Sequence, residues 1–317
     1  VEDESTMKKL IIVPQYPVKM RYQEWWPQLW YKHFLKKYDT HMLGYPLSNA
    51  ELQSTNIASG DFSPMHPAVA FELKQIKEYL SMDLDEDDIL LLCDLSFPGF
   101  FSSALFLKPH KNSYAICHAT SINNYDLFAP VRDGKWSVEF GQAQMFKKII
   151  VASEYHKRKL DWSNIEVLPF PPPPFYGQKR EKVRDIISVA RDCEQKRTSL
   201  LESVLQIELK SKIRVGEFST WNDYYKFIAE SKVMIITSKE ETFGYQILDA
   251  VVNNCVPVAP NAFSYSELLP SEYLYRTGDE MCSVVKKVLA GKLKTPKLLN
   301  EAGITNFFTS VEALLCT

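Results

Sequence analysis

The chain has 317 residues, 45% hydrophobic and 24% charged, enough apolar material for the cores of about two soluble domains, which excludes a disordered or fibrous protein. A net charge of −2 gives no global electrostatic argument for binding nucleic acid or a membrane surface, although basic patches can sit within a neutral total. The first six residues, VEDEST, precede Met-Lys-Lys-Leu and read as a non-native addition ahead of a natural start at Met7, outside the fold. No signal-peptide layout follows, and no stretch reaches the roughly 20 apolar residues that span a bilayer, so no membrane partner is expected.

Residues 10–13 form a short β-branched apolar run that stops at Pro14 and predict a buried first strand. Runs at 89–93, 114–117, 149–152 and 165–168 repeat the pattern, with helical spacing at 68–80 and 136–146 between them. Strands alternating with helices predict a mostly parallel sheet covered on both faces. The stretch LPFPPPPF at 168–175 cannot be a helix interior or a central strand, because proline fixes φ and removes a backbone donor. It reads as a linker, and a second alternating series follows at 186–190, 213–215, 233–237 and 256–259. The expected architecture is α/β: an acceptor-side Rossmann-like domain over 7–170, a hinge over 171–184 and a second Rossmann-like domain over 185–296. A helical segment at 297–317 is expected to pack back on the first domain, and ligands are expected in a cleft at the carboxyl ends of the two sheets. Six cysteines, at 93, 117, 193, 255, 282 and 316, form no CxxC pair and no zinc spacing. They read as reduced thiols of a cytoplasmic protein.

The chemistry concentrates in SKEETFGYQILDAVVNNCVPVAPN, residues 238–261. A loop is expected at the carboxyl end of the 233–237 strand, then a helix over 244–253 with Thr242 as its N-cap. Ile247, Leu248, Val251 and Val252 give that helix an apolar face. Gly244 permits close approach of a ligand to the backbone, and a helix amino terminus offers N–H groups and partial positive charge to a phosphate. Glu241 would stand at the loop tip and Asp249 two turns down the helix; the alternative is a solvated loop acid and a helix-surface acid. Arg191 and Lys196 follow the 186–190 strand, where cations can neutralise a diphosphate, although alone they would read as surface charges.

Together these stretches resemble the second domain of GT-B glycosyltransferases, in particular the retaining, glycogen-synthase-like group. The pattern E-x-F-G, an acid eight residues on, then Ala and a Pro-Val strand is matched by Glu241, Phe243, Gly244, Asp249, Ala250, Pro257 and Val258. The resemblance covers about residues 185–270. It implies that Arg191 and Lys196 hold the donor diphosphate, that Glu241 contacts the donor sugar, that Phe243, Gly244 and Tyr245 meet phosphate or sugar, and that Asp249 binds the ribose diol. It also implies retention, with a UDP-sugar as donor substrate and no tightly bound cofactor. Two departures stand out: the second acid is usually Glu, one methylene longer than Asp249, and Asn254 replaces the usual glycine, a change Asn tolerates because it accepts a left-handed conformation.

The first domain lacks the usual glycine-rich loop, carrying VPQYPVKMRYQEWW instead. His118, in YAICHATSINNYD, is similar to a histidine that touches the donor sugar in the resembling enzymes, and it also suits a structural role. Asp94, in LLLCDLSFPGF, ends a strand, where a carboxylate can orient an acceptor hydroxyl or simply close a turn. The acidic run DLDEDD at 83–88 lies at the opposite, amino end of a strand and reads as a solvated turn, so no metal site is expected. The leaving diphosphate would instead be stabilised by Arg191, Lys196 and the helix terminus.

The segment 19–38, KMRYQEWWPQLWYKHFLKKY, interleaves basic residues with aromatics and suits a sugar-phosphate backbone with stacked bases, or else a helix half in the core. Further basic groups at 153–162 and 177–184 add to it. In stretches such as DLSFPGF and CHATSINNYD the first domain resembles bacteriophage enzymes that glycosylate hydroxymethylated DNA bases, which would make duplex DNA the acceptor and the host cytoplasm the location. Three alternatives stay open: a glycosyltransferase acting on a glycan or small molecule, a sugar-nucleotide epimerase, and a nucleic-acid-binding protein with a vestigial donor site.

Overall fold

The computed structural model describes residues 7–18, 20–47, 66–174, 179–189, 213–215 and 218–316. They divide into two compact units. The first holds the chain up to Ala152, Lys157–Leu168 and the terminal segment from Phe308; the second holds Ser153–His156 and Pro169–Phe307.

The first unit is built on a parallel sheet of β1 (Lys9–Val13), β2 (Asp39–Met42), β3 (Ile89–Leu92), β4 (Ser113–Ile116), β5 (Lys148–Val151) and β6 (Ile165–Val167), in the order β2-β1-β3-β4-β5-β6. Leu10 pairs with Ile89 and Leu90 with Ser113, and every residue of β3 and β4 is buried. Strands buried on both faces need no alternation, which is why they read as continuous apolar runs. The edge strand β2 escaped detection because its sequence, DTHM, carries exposed Asp39 and His41 and no apolar run. The helix His66–Ser81 matches the spacing at 68–80. The helix Arg132–Ala143 starts and ends earlier than 136–146, because Gln144, Met145 and Phe146 close tight turns onto carbonyls three residues back instead of continuing the helix.

The second unit has a parallel sheet of β7 (Arg184–Ser188), β8 (Ile213–Val215), β9 (Ser231–Ile235), β10 (Val256–Pro260) and the two-residue β11 (Leu274–Tyr275), in the order β11-β10-β9-β7-β8. β9 ends two residues before the expected 237, so Ile236, Thr237 and Ser238 belong to the loop. The segment expected to be one helix at 297–317 forms two, Glu301–Thr305 and Phe307–Leu315. Asn306 turns the chain between them, and Phe308 onward packs in the first unit, where Val311 and Leu315 are buried.

Burial corrects the stacking reading of segment 19–38. The helix Trp26–Phe34 turns Trp26, Trp30 and Phe34 fully into the core, and Trp25 is buried as well. Trp26 and Trp30 meet edge to face at 5.5 Å, and Trp30 packs on Phe308 at 5.3 Å. These ring faces are committed to the first unit's packing and offer no platform for bases. The lysines 32, 36 and 37 lie on the exposed side, as in an amphipathic core helix. In the acidic turn, Asp83, Asp85, Glu86 and Asp87 are exposed, while buried Asp88 accepts from the Lys9 and Asp85 backbone N–H groups, both at 2.8 Å. Among the described residues, no group of three or more His, Cys, Asp or Glu is arranged to hold a metal, and no helix is long and apolar enough to cross a membrane.

Candidate functional site

In the second unit, the loop leaving β9 enters the helix Tyr245–Val252 through Gly244, which has φ +103° and is the N-cap residue. Thr242 is therefore not the cap: glycine holds that place and has no side chain with which to accept from the first turn. Only glycine takes this backbone angle without strain, and a Cβ at 244 would come within 3.0 Å of the buried Tyr265 ring. The loop is tied down from several sides. Ser153 Oγ donates to the Thr242 carbonyl at 2.5 Å, and Ser264 Oγ donates to that of Phe243 at 2.8 Å. Tyr275 OH donates to that of Ile236 at 2.7 Å. Phe243 is buried edge-on against Phe170 at 5.4 Å and Tyr245 at 5.1 Å. A loop tied down in this way would lose little further entropy on meeting a ligand.

Glu241 is half-buried on this loop, its Oε1 accepting from the Thr242 N–H at 3.1 Å. Gln246, in the first turn of the helix, donates through Nε2 to the Val189 carbonyl at 2.9 Å. That bond fixes the helix start beside the residue that follows β7. Arg191 and Lys196, the cations expected just beyond, lie outside the described residues.

Asp249 is on the same helix but not on its wet face: only 5% of it is exposed. Tyr224 OH donates to its Oδ2 at 2.7 Å and Tyr225 OH to its Oδ1 at 3.1 Å, both from the helix Trp221–Ala229. Burial pushes the Asp249 carboxyl up to about 7, and the two hydroxyls pull it back only in part. A ribose diol reaching this carboxylate would have to share it with the tyrosines. Sequence spacing gave no hint of either tyrosine, because the contact joins residues about 25 positions apart. At the far end of the helix, Asn254 has φ +58°. Its N–H bonds to Val251 and that of Cys255 to Ala250, which is a Schellman closure with Asn in the place glycine usually takes.

In the first unit, Asp94 and His118 follow β3 and β4. Asp94 Oδ2 accepts from Gln15 Nε2 at 2.8 Å and Tyr22 OH at 3.2 Å, and Oδ1 accepts from the Ser96 N–H at 3.1 Å. Burial raises this carboxyl to about 7, with those bonds and Lys135 opposing. The Tyr22 ring stacks on His118 at 4.1 Å, and Trp26 meets the same imidazole edge-on at 5.3 Å. One tyrosine therefore touches both residues singled out in the sequence. Behind them Glu139, fully buried, accepts from Ser96 Oγ at 2.5 Å and Ser121 Oγ at 2.6 Å, and pairs with Lys135 at 3.7 Å. Glu72 accepts from the N–H groups of Gly99, Phe100 and Phe101. These carboxylates brace the loop after β3; isolated acids in helical segments gave no sequence signal for that task.

No protein-family model matches the chain. A 77-residue stretch is 36% identical to tRNA-queuosine alpha-mannosyltransferase of Drosophila melanogaster, covering 24% of this chain and 20% of that protein. Among solved structures, a sucrose-phosphate synthase from Thermosynechococcus elongatus superposes with a TM-score of 0.66 at 11% identity, over 98% of this chain and 99% of that one. The S. aureus TarM structure in complex with UDP superposes with a TM-score of 0.50 at 17% identity; the match covers 76% of this chain but only 55% of TarM. The two parallel-sheet α/β units thus have the GT-B fold shared by these glycosyltransferases.

Proposed function

We propose that the protein is a glycosyltransferase that moves a sugar, with retention and without a metal ion, from a UDP-sugar to a hydroxyl on a modified nucleobase of a nucleic acid. The observation that carries the donor half is the Gly244 helix start: a left-handed glycine, no side-chain cap, Glu241 three residues before it and a loop anchored by Ser153, Ser264 and Tyr275. A helix amino terminus capped by glycine lets an anion approach the backbone closely and suits a diphosphate. In this reading Phe243, Gly244 and Tyr245 line the phosphate and sugar, Glu241 holds the sugar, Asp249 with Tyr224 faces the ribose, and Arg191 and Lys196 neutralise the leaving diphosphate. His118 and Asp94 serve the sugar and the acceptor hydroxyl. The bond from the anomeric carbon to the diphosphate breaks as the acceptor oxygen bonds to that carbon, releasing UDP and the hydroxyl proton.

The acceptor half rests on the sequence's likeness to enzymes that glycosylate hydroxymethylated DNA bases and on the stretch shared with a mannosyltransferase whose name specifies a tRNA base. Both acceptors present a hydroxyl carried by a modified base, so the shared chemistry is the proposal and the polymer is the variable. With the core tryptophans of segment 19–38 unavailable, contact with the polymer falls to exposed lysines and to phosphate charge. The cytoplasm is the expected site of action.

The test is thermal stabilisation by a panel of nucleoside diphosphates and nucleotide sugars, followed by transfer assays with duplex DNA bearing hydroxymethylated bases and with bulk tRNA. Stabilisation by UDP and sugar transfer to either polymer supports the proposal. No response to any nucleotide overturns it. Isomerised free sugar released without an acceptor favours the epimerase reading, and salt-sensitive DNA binding without nucleotide binding favours a vestigial site.

A further inference from the structure

We propose that Tyr22 is a positioning residue that couples Asp94 to His118, so that carboxylate and imidazole act on the acceptor hydroxyl as one unit. The inference rests on the glycosyltransferase reading above and goes beyond it in naming the residue that joins Asp94 to His118. Three observations carry it. Tyr22 OH donates to Asp94 Oδ2 at 3.2 Å. The Tyr22 ring lies on the His118 imidazole, with centroids 4.1 Å apart and planes inclined by 30°. Tyr22 itself comes from the short turn Tyr22–Glu24 after β1, whereas Asp94 and His118 follow β3 and β4, so a single side chain ties three neighbouring crossovers of the sheet together.

An ionised carboxylate offers about four lone-pair positions. Gln15 and Tyr22 fill those of Oδ2, and the Ser96 N–H takes one on Oδ1. The remaining position on Oδ1 is where an acceptor hydroxyl can place its proton. As the acceptor oxygen bonds to the anomeric carbon and the sugar–diphosphate bond breaks, that proton passes to Asp94 and later to solvent; Asp94 begins ionised and ends neutral, and no other reactant is needed. The groups facing Asp94 are the Cys93 and Cys117 thiols, Asp126, Lys135 and the Tyr22 hydroxyl, with Glu139 beyond Ser96. Of these, Tyr22 is in ring contact with His118.

The sign of the effect is fixed. A hydroxyl donating to the carboxylate favours its ionised form, so removing it raises the carboxyl's pKa. Tyr22→Phe keeps the stack and loses the bond. In the full chain it is expected to lower kcat about 10-fold and to move the acid limb of the kcat profile up by ~0.5–1 pH unit, while UDP binding measured by calorimetry stays as in the wild type. Tyr22→Leu, which also removes the stack, is expected to lower kcat further. In the wild-type protein, the Tyr22 ring-carbon resonance is expected to titrate with the same midpoint as the Asp94 carboxyl carbon, a readout that needs no variant to fold. An unmoved acid limb in Tyr22→Phe, or independent titration of the two resonances, overturns the coupling. If instead the wild type binds no nucleotide and transfers no sugar, the glycosyltransferase reading fails, and that outcome is distinct from loss of the coupling alone.

Discussion

Two carboxylates of the candidate site differ in what surrounds them, and each has its own expected behaviour. Glu241 lies half-exposed on a braced loop, so Glu241→Ala is expected to leave the fold intact. Transfer should fall ~100-fold through loss of a contact that strengthens in the transition state, with UDP affinity changed little. Steady-state rates beside calorimetric titration check both halves. Asp249 is buried and raised to about 7. Between the ordinary carboxylate range near 4 and that value, the native state holds a proton that the unfolded chain has released. Its contribution to stability is therefore full at low pH, falls as pH rises through 7 and is flat above. Asp249→Asn cannot titrate, and its urea-unfolding free energy is expected to fall less between pH 5 and pH 8 than that of the wild type. Equal slopes would mean that this carboxyl does not titrate as its burial implies.

The helix Tyr245–Val252 is closed at both ends by left-handed residues, and these closures govern its placement. Gly244→Ala meets both an unfavourable φ and the Tyr265 ring, so a loss of about 1–3 kcal/mol is expected in denaturant unfolding, together with weaker UDP binding. Asn254 occupies the C′ position at φ +58°. Asn254→Gly is expected to hold or slightly raise stability, whereas Asn254→Val is expected to cost about 1–2 kcal/mol. A Val variant as stable as the wild type would show that the Schellman closure contributes nothing. Both closures were partly legible in the sequence: glycine before the helix and Asn after it are residue types that accept such angles. The true N-cap was not, because Thr242 is an equally good cap by composition; in the structure the carbonyls of Thr242 and Phe243 are held by Ser153 and Ser264, and the cap lies two residues on, at Gly244.

At the scale of the molecule, the chain completes its first unit with its last residues. Phe308 stacks on His33 at 4.4 Å, Glu312 accepts from His33 and Lys37, and Tyr114 OH donates to the Leu314 carbonyl at 3.3 Å. A fragment of residues 7–168 lacks Phe308, Glu312 and Leu314 and is expected to unfold at lower denaturant than the same fragment supplied with a peptide of residues 307–317; no response to the peptide would show that these contacts add nothing to the first unit's stability. The sequence alone determined the two alternating series of strands, the proline-rich break between them and the E-x-F-G stretch at the mouth of a strand. Strands buried on both faces and breaks in helical spacing are local consequences of hydrophobicity and backbone chemistry, so they survive in one dimension. Only the tertiary structure decided that the tryptophans of the first helix are core and not a binding face, that Asp249 is shared with Tyr224 and Tyr225, and that Tyr22 joins Asp94 to His118. These are contacts across tens of residues, set by which elements the sheet order makes neighbours, and no spacing along the chain encodes them.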